Sequence, residues 1–233
     1  MEAVILAGGR GTRLYPYTTD TPKPLVPVGD RPVVEILLRR LRKAGVTRAH
    51  LAVNHMAQLI MDSLGDGRSL GIEIRYSREE KPLGTVGPIT LIPDLPDHFI
   101  VANGDVISDI DITDLFAYHL GRKALLTVAV QKRTERVDYG VLASDADGRV
   151  VGFTEKPRYD MFVSMGIYVF ARELLHFVPK GEPFGLDDLV LMLLKQNERV
   201  FSYPYAGFWL DIGRPDDYER AIRELDKIEL MLK

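Results

Sequence analysis

Cysteine is absent from the 233 residues, and tryptophan occurs once. Without thiols there is no disulfide, no thiolate metal site and no cysteine nucleophile. A basic surplus is missing too. The 30 Lys and Arg stand against 33 Asp and Glu, a formal charge of −3, so the charge balance gives no sign of nucleic acid as a partner. No apolar run approaches the roughly 18 residues of a membrane span. The opening residues, from Met1 to Leu14, lack a charged stretch followed by a long apolar one. They do not read as a signal peptide, and a cytoplasmic location is the expectation. His50, His55, His98, His119 and His176 have no metal-ligand spacing and read mostly as surface or boundary residues. Internal repeats, low-complexity segments and linkers are also missing.

What is present is ordinary for a soluble globular protein: 46% hydrophobic and 27% charged residues. The length suits a single domain spanning residues 1–233 and is enough for a full core. Strand and helix signals alternate in the first half. Ala3 to Ala7, His50 to Val53, Ile72 to Tyr76 and Phe99 to Ala102 read as buried strands. Pro32 reads as part of a first helical turn, where its missing N–H is not needed; Val33, Ile36, Leu37, Leu41 and Ala44 then recur at helical spacing, and Gly45 closes that helix. Gln58 to Leu64 is helical, and a further helix is expected from Gly84 to Leu91. The second half is richer in strands. They are Leu125 to Gln131, the hairpin Gly140 to Ser144 with Val150 to Thr154, Ser164 to Phe170, Val200 to Tyr203 and Phe208 to Leu210. Asp187 to Lys195 is helical, and one amphipathic helix follows Pro215. The order predicts a three-layer α/β/α, Rossmann-like fold with a mainly parallel central sheet. Ligands in such sheets bind outside the carboxyl ends of the strands. The loops after Ala7, Ala102 and Leu210 are therefore where chemistry is expected.

The first of these loops runs Leu6-Ala7-Gly8-Gly9-Arg10-Gly11-Thr12-Arg13-Leu14. Gly8, Gly9 and Gly11 let backbone N–H groups approach a ligand, and successive N–H groups form an anion-binding nest. Arg13 adds a forked cation suited to phosphate oxygens. Lys23 adds a point charge between Pro22 and Pro24. Together they describe a triphosphate site. Leu14 stands where a dinucleotide fingerprint needs its third glycine, and the Gly-Lys-Ser/Thr of a Walker A loop is absent. An isolated Gly-Gly-x-Gly is more often a plain strand-to-helix turn, and Arg10 and Arg31 read as solvated.

Leu-Ala-Gly-Gly-x-Gly-Thr-Arg-Leu followed by Pro22-Lys23-Pro24-Leu25 resembles the signature of the sugar-1-phosphate nucleotidyltransferases. Later landmarks recur in order: Asn103-Gly104-Asp105, Tyr139-Gly140, Glu155-Lys156-Pro157, Met165-Gly166-Ile167-Tyr168 and Trp209-Leu210-Asp211-Ile212-Gly213. The resemblance covers residues 1–220, and its flavour is similar to the mannose-1-phosphate guanylyltransferases. Short heptose-1-phosphate guanylyltransferases and muramate-1-phosphate uridylyltransferases look alike as well. Many relatives carry a C-terminal left-handed β-helix, which is not expected here.

The resemblance implies transfer of a nucleotidyl group from an NTP to a sugar 1-phosphate, with release of pyrophosphate. The nucleophile is then a phosphate oxygen already ionised at neutral pH, so charge neutralisation and positioning matter more than a general base. Leu6, Ala7, Gly8, Gly9, Gly11, Thr12, Arg13, Lys23, Glu80, Pro82, Gly84, Asn103 and Gly104 are the implied nucleotide contacts. Asp105 and Asp211 are the implied Mg²⁺ ligands, and with Arg13 and Lys23 they form the catalytic set. Tyr139, Gly140, Glu155, Lys156, Ser164 and Gly166 are the implied sugar-phosphate contacts. Glu80 could accept from N1 and N2 of guanine, which favours GTP. Many relatives have Asn where this chain has Ser164, a departure that bears on the sugar. Glucose 1-phosphate with dTTP or UTP, heptose 1-phosphate with GTP and N-acetylmuramate 1-phosphate with UTP stay open beside mannose 1-phosphate. Two other functions stay open: a non-catalytic NDP-sugar-binding subunit, and a glycosyltransferase using Asp109 and Asp111. Against the latter, Asp111 reads as the cap of the helix containing Leu115. Relatives often form dimers or tetramers, so a homo-oligomer is an implied possibility.

Overall fold

A computed structural model describes Met1–Lys233. The chain runs through β1 (Glu2–Ala7), the short ribbon β2 (Pro27–Val28) and β3 (Arg31–Pro32), α1 (Val33–Lys43), β4 (Arg48–Val53), α2 (Ala57–Leu64), β5 (Glu73–Arg78), β6 (His98–Asn103), β7 (Val106–Ser108) and α3 (Ile112–Gly121). It continues through β8 (Leu126–Arg136), β9 (Gly140–Ser144), β10 (Val150–Glu155), β11 (Arg158–Ala171), α4 (Leu186–Lys195), β12 (Val200–Tyr205), β13 (Trp209–Asp211), α5 (Pro215–Arg223) and α6 (Leu225–Leu232).

Seven strands form the main sheet in the order β12-β8-β11-β6-β1-β4-β5. All are parallel except β11, which runs antiparallel to both β6 and β8. The chain leaves β1 toward β4 and β5 on one side, then returns to place β6 on the other. That reversal opens a crevice at the carboxyl ends of β1 and β6, where doubly wound sheets hold ligands. Ala3, Val4 and Ile5 are fully buried in succession because helices cover both faces. Ala3 and Ile5 pack with Leu38 and Leu41 of α1, Ile60 of α2 and Leu115 of α3. Val4 packs on the opposite face with Phe99, Leu189 and Leu193. A third cluster joins Leu14, Ile107, Leu210 and Ile212 to Ala221 of α5 and Ile228 of α6.

Four expectations change. The helix from Gly84 is only a 3₁₀ turn, Gly87–Leu91. Val86 N and Gly87 N donate to Phe184 O at 3.0 and 3.3 Å, so the backbone there is tied to another loop. The terminal helix breaks at Glu224, whose carboxylate accepts from Arg220 at 3.0 Å and Lys227 at 2.7 Å. The break turns α6 onto α1, where Arg40 donates to Met231 O at 3.1 Å. Pro32 belongs to β3, with an extended ψ of 142°. The strands β8 and β11 run past their apolar cores, pairing Lys132 with Phe162 through Arg136 with Arg158. Those ends carry no alternating signal because both faces of the ribbon are exposed.

Two histidines also depart from a surface placement. His119 is fully buried, held by Thr127 Oγ1 at 2.9 Å and His98 at 3.0 Å. Its burial holds the imidazole neutral, with a pKa lowered to about 4. His50 is buried against Glu2 at 2.9 Å. No helix is long and apolar enough to cross a membrane.

Candidate functional site

The loops that follow β1, β4, β5 and β6 enclose a cleft of about 630 Å³. Leu6, Ala7, Gly8, Gly9, Gly11, Thr12, Arg13, Lys23, Pro82, Gly84, Asn103, Gly104 and Asp105 all line it. A cavity of about 710 Å³ lies at the other end of β6, beside Asp97, His98, Arg172 and Lys180. Its arginine is paired with Asp97 at 2.5 Å, and no glycine loop reaches it.

The phosphate-type loop is shaped by its glycines. Gly11 has φ 65°, a left-handed conformation, and its carbonyl accepts from Thr18 Oγ1 at 2.9 Å. A Cβ at Gly11 would stand 3.0 Å from Lys23 Cβ, so the loop lies directly on the lysine stem. The Pro22 and Pro24 neighbours set a 3₁₀ turn, Lys23–Leu25, that aims the ammonium inward.

That ammonium contacts the Asp105 carboxylate and lies 4.0 Å from Asp211 Oδ1. The two aspartates are 106 residues apart in sequence and meet through a small sheet. There β7 pairs antiparallel with β13, setting Asp211 opposite Val106. Ile212 N donates to Asp105 O at 3.1 Å and locks the register. The Asp105 side chain is 13% exposed and lines the cleft, whereas the Asp211 side chain is 44% exposed and lies outside the lining. Burial, and then the Asp105 carboxylate beside it, push the Asp211 carboxyl above the usual carboxylate range, with Lys23 pulling the other way. The carboxylate oxygens of these two aspartates are the ligand type that a hard divalent cation takes. No group of three or more His, Asp or Glu could complete such a site from protein alone. A metal held here would take its remaining ligands from phosphate or water.

Glu80 is exposed and lies outside the cleft lining. Its neighbour Glu79 lies inside it, 7% exposed. Glu79 Oε2 accepts from Leu83 N at 2.7 Å, and Oε1 lies 2.7 Å from where a Cβ on Gly8 would stand. The carboxylate therefore closes the cleft over the glycine loop. Asn54 and His55 also line the cleft, from the loop after β4. Sequence reading missed them, although the rule that singled out the loop after β1 applies equally to the carboxyl end of β4.

The sugar-side residues are only partly gathered. Tyr139, Gly140, Glu155 and Lys156 lie on the separate β9–β10 hairpin, with Gly140 paired to Glu155. They are exposed and do not line the cleft. Lys156 sits at φ 45°, rare for a side-chain-bearing residue, and its ammonium is 3.9 Å from Glu155. Gly166 backs the cleft: with φ 72°, a Cβ there would come within 2.6 Å of Asn103 Nδ2. Its N–H donates to Ser164 Oγ at 3.3 Å, and that hydroxyl bonds the Tyr168 hydroxyl at 2.9 Å.

Asp109 and Asp111 are both committed to structure. Asp109 accepts from Phe208 N at 2.7 Å and from the Tyr205 hydroxyl. Asp111 caps α3, accepting from Thr113 N at 2.8 Å and Asp114 N at 3.0 Å. Trp209 is core, with Nε1 donating to Met165 O at 2.9 Å.

This arrangement has relatives. A mannose-1-phosphate guanylyltransferase of Mycobacterium tuberculosis is 33% identical over 232 residues, 97% of this chain and 64% of that protein. A UTP--glucose-1-phosphate uridylyltransferase of Synechocystis is 33% identical over 96% of this chain and 63% of its own length. The chain thus spans under two thirds of the curated relatives it matches. The crystal structure of HddC from Yersinia pseudotuberculosis complexed with GMP-PN superposes with a TM-score of 0.73 at 28% identity, covering 96% of this chain and 99% of that one. The family model described as Nucleotidyl transferase matches residues 2–228, from the first residue of β1 into α6. With that match and these identities along nearly its whole length, the chain belongs to the nucleotidyl transferase family.

Proposed function

We propose that this protein transfers a nucleotidyl group from an NTP, with GTP favoured, to a sugar 1-phosphate, with mannose 1-phosphate favoured, releasing pyrophosphate. The observation that carries the reading is the convergence of the glycine loop, Lys23 and Asp105 in one cleft at the carboxyl ends of β1 and β6, with Asp211 4.0 Å from the same Lys23 ammonium. A sugar-phosphate oxygen attacks the α-phosphorus; that P–O bond forms as the bond to the pyrophosphate oxygen breaks. Gly8, Gly9 and Gly11 receive the triphosphate through backbone N–H groups, and Arg13 and Lys23 neutralise it. Asp105 and Asp211 hold Mg²⁺, which supplies charge neutralisation at the phosphates when bound. Glu155 and Lys156 bring the sugar phosphate from the β9–β10 hairpin. GTP is favoured because Glu79, carried into the cleft beside Pro82, offers the acceptor that guanine N1 and N2 require. It takes the part that sequence assigned to Glu80. The relatives named for guanylyl and uridylyl transfer support the reaction class, and the HddC complex supports a guanine nucleotide.

The test is pyrophosphate release with Mg²⁺ across GTP, UTP, dTTP, CTP and ATP against mannose, glucose, N-acetylglucosamine, N-acetylmuramate and heptose 1-phosphates. Turnover should be strongest with GTP and one sugar. Asp105→Asn and Asp211→Asn should each lose on the order of 10² or more in kcat while staying folded. Near-wild-type turnover in either variant sinks the metal assignment. In the same assay Glu79→Gln should reduce the preference for GTP over UTP by about tenfold or more. An unchanged preference sinks the base assignment and leaves the reaction standing.

A further inference from the structure

We infer that Lys23 is a placeholder cation, which holds Asp105 and Asp211 until a divalent ion displaces it and then transfers its ammonium to the triphosphate. The inference rests on the metal role proposed above for the two aspartates. It explains a contact that this role alone leaves odd: a lysine assigned to phosphate lies instead against the carboxylates.

The argument is one of charge and reach. The β7–β13 register brings two carboxylates close enough to share one ammonium. Partly buried like charges need a counter-ion. Lys23 is the one cationic side chain in salt-bridge contact with either of them. Arg13 lines the cleft without a salt bridge to either carboxylate. A divalent ion alone neutralises both carboxylates, so an ammonium left in place would be in excess and would oppose metal entry. The triphosphate supplies the other partner. A Cβ on Gly11 would stand 3.0 Å from Lys23 Cβ, and both residues line the cleft, so the lysine stem rises beside the loop proposed to receive the phosphates. The backbone of Lys23 is fixed by its two prolines and by Val26 N donating to Lys23 O at 3.2 Å, while the four-carbon stem can swing. Exchange therefore needs only side-chain rotation.

Two consequences can be measured without turnover. First, Lys23 should weaken metal binding to the nucleotide-free protein. Mn²⁺ titration followed by electron paramagnetic resonance should give a dissociation constant at least about tenfold tighter in Lys23→Gln than in wild type. Lys23→Arg, which keeps the charge, should stay near wild type, and the gain should vanish in Lys23→Gln with Asp211→Asn. Second, Lys23 should help nucleotide only when metal has taken the carboxylates. By calorimetry, Lys23→Gln should weaken GTP binding about tenfold or more with Mg²⁺ present, and by less than about twofold in EDTA. Circular dichroism checks that each variant is folded. Equal Mn²⁺ affinity in wild type and Lys23→Gln overturns the exchange. So does an equal loss of GTP affinity with and without Mg²⁺; both results leave the nucleotidyl-transfer reading in place. Failure of the wild type to bind either Mn²⁺ or GTP overturns that reading and the exchange with it.

Discussion

Asp211 illustrates how far a single residue can be read from sequence. Its place after an apolar run marks it as a carboxylate needing a partner, but nothing local says the partner is another carboxylate's lysine. Burial, and then the neighbouring Asp105 carboxylate, raise its folded carboxyl pKa. A raised folded pKa means the native state binds more protons than the unfolded one, so stability is highest below the unfolded value and is lost as pH rises through the folded value. Asp211 thus costs stability at neutral pH. Asp211→Asn is expected to melt higher than wild type at pH 7, with the difference shrinking as pH falls toward 4. Calorimetric melts across that range check it, and a lower melting temperature for the variant at pH 7 refutes it. A site arranged for binding rather than stability behaves in this way. The two adjacent glutamates teach a related lesson. Successive strand-like residues point to opposite faces, so sequence places Glu79 and Glu80 on different sides without saying which side is the cleft. The register of β5 on β4, with Arg78 opposite Val53, decides it in favour of Glu79.

Elements were legible where both periodicity and local chemistry agreed. The β1 run, the α1 stripe ending at Gly45 (φ 87°) and the Asp111 cap of α3 all carried such signals. The segment from Gly84 to Leu91 did not, because its backbone hydrogen bonds go to Phe184, about 100 residues away. Gly84 sits at φ 75°, and a Cβ there would come within 2.7 Å of Phe184 O. Gly84→Ala therefore combines left-handed strain with a backbone clash. It should lower stability by about 2 kcal/mol in urea unfolding. Because Gly84 lines the cleft, nucleotide affinity should fall as well. A loss below about 0.5 kcal/mol would contradict the close approach of these two loops.

At the scale of the molecule, order is uneven. The seven-stranded sheet is sandwiched by helices, whereas the β9–β10 hairpin is a two-stranded sheet by itself, with Tyr139 79% and Phe153 63% exposed. Two strands without a covering layer are marginal in water. Hydrogen exchange should give Val141 to Ala143 and Phe153 to Glu155 protection lower by about two orders of magnitude than Ile5, Leu51 and Ile100. Adding Mg²⁺, GTP and the cognate sugar phosphate should raise protection in the hairpin if Glu155 and Lys156 close over the substrate. Protection unchanged by ligand would remove those residues from the sugar site.

The sequence by itself determined the parallel core, the glycine loop, the capping of α3 and the family. These depend on side-chain polarity over short windows and on motifs that are contiguous in the chain. The resemblance implied that Asp105 and Asp211 act together; tertiary structure alone decided the strand register that joins them, the inward turn of Glu79, the seating of Lys23 against the carboxylates and the burial of His119. Each depends on strand register or loop-to-loop contact between segments far apart in sequence, where no local periodicity records which atoms will meet.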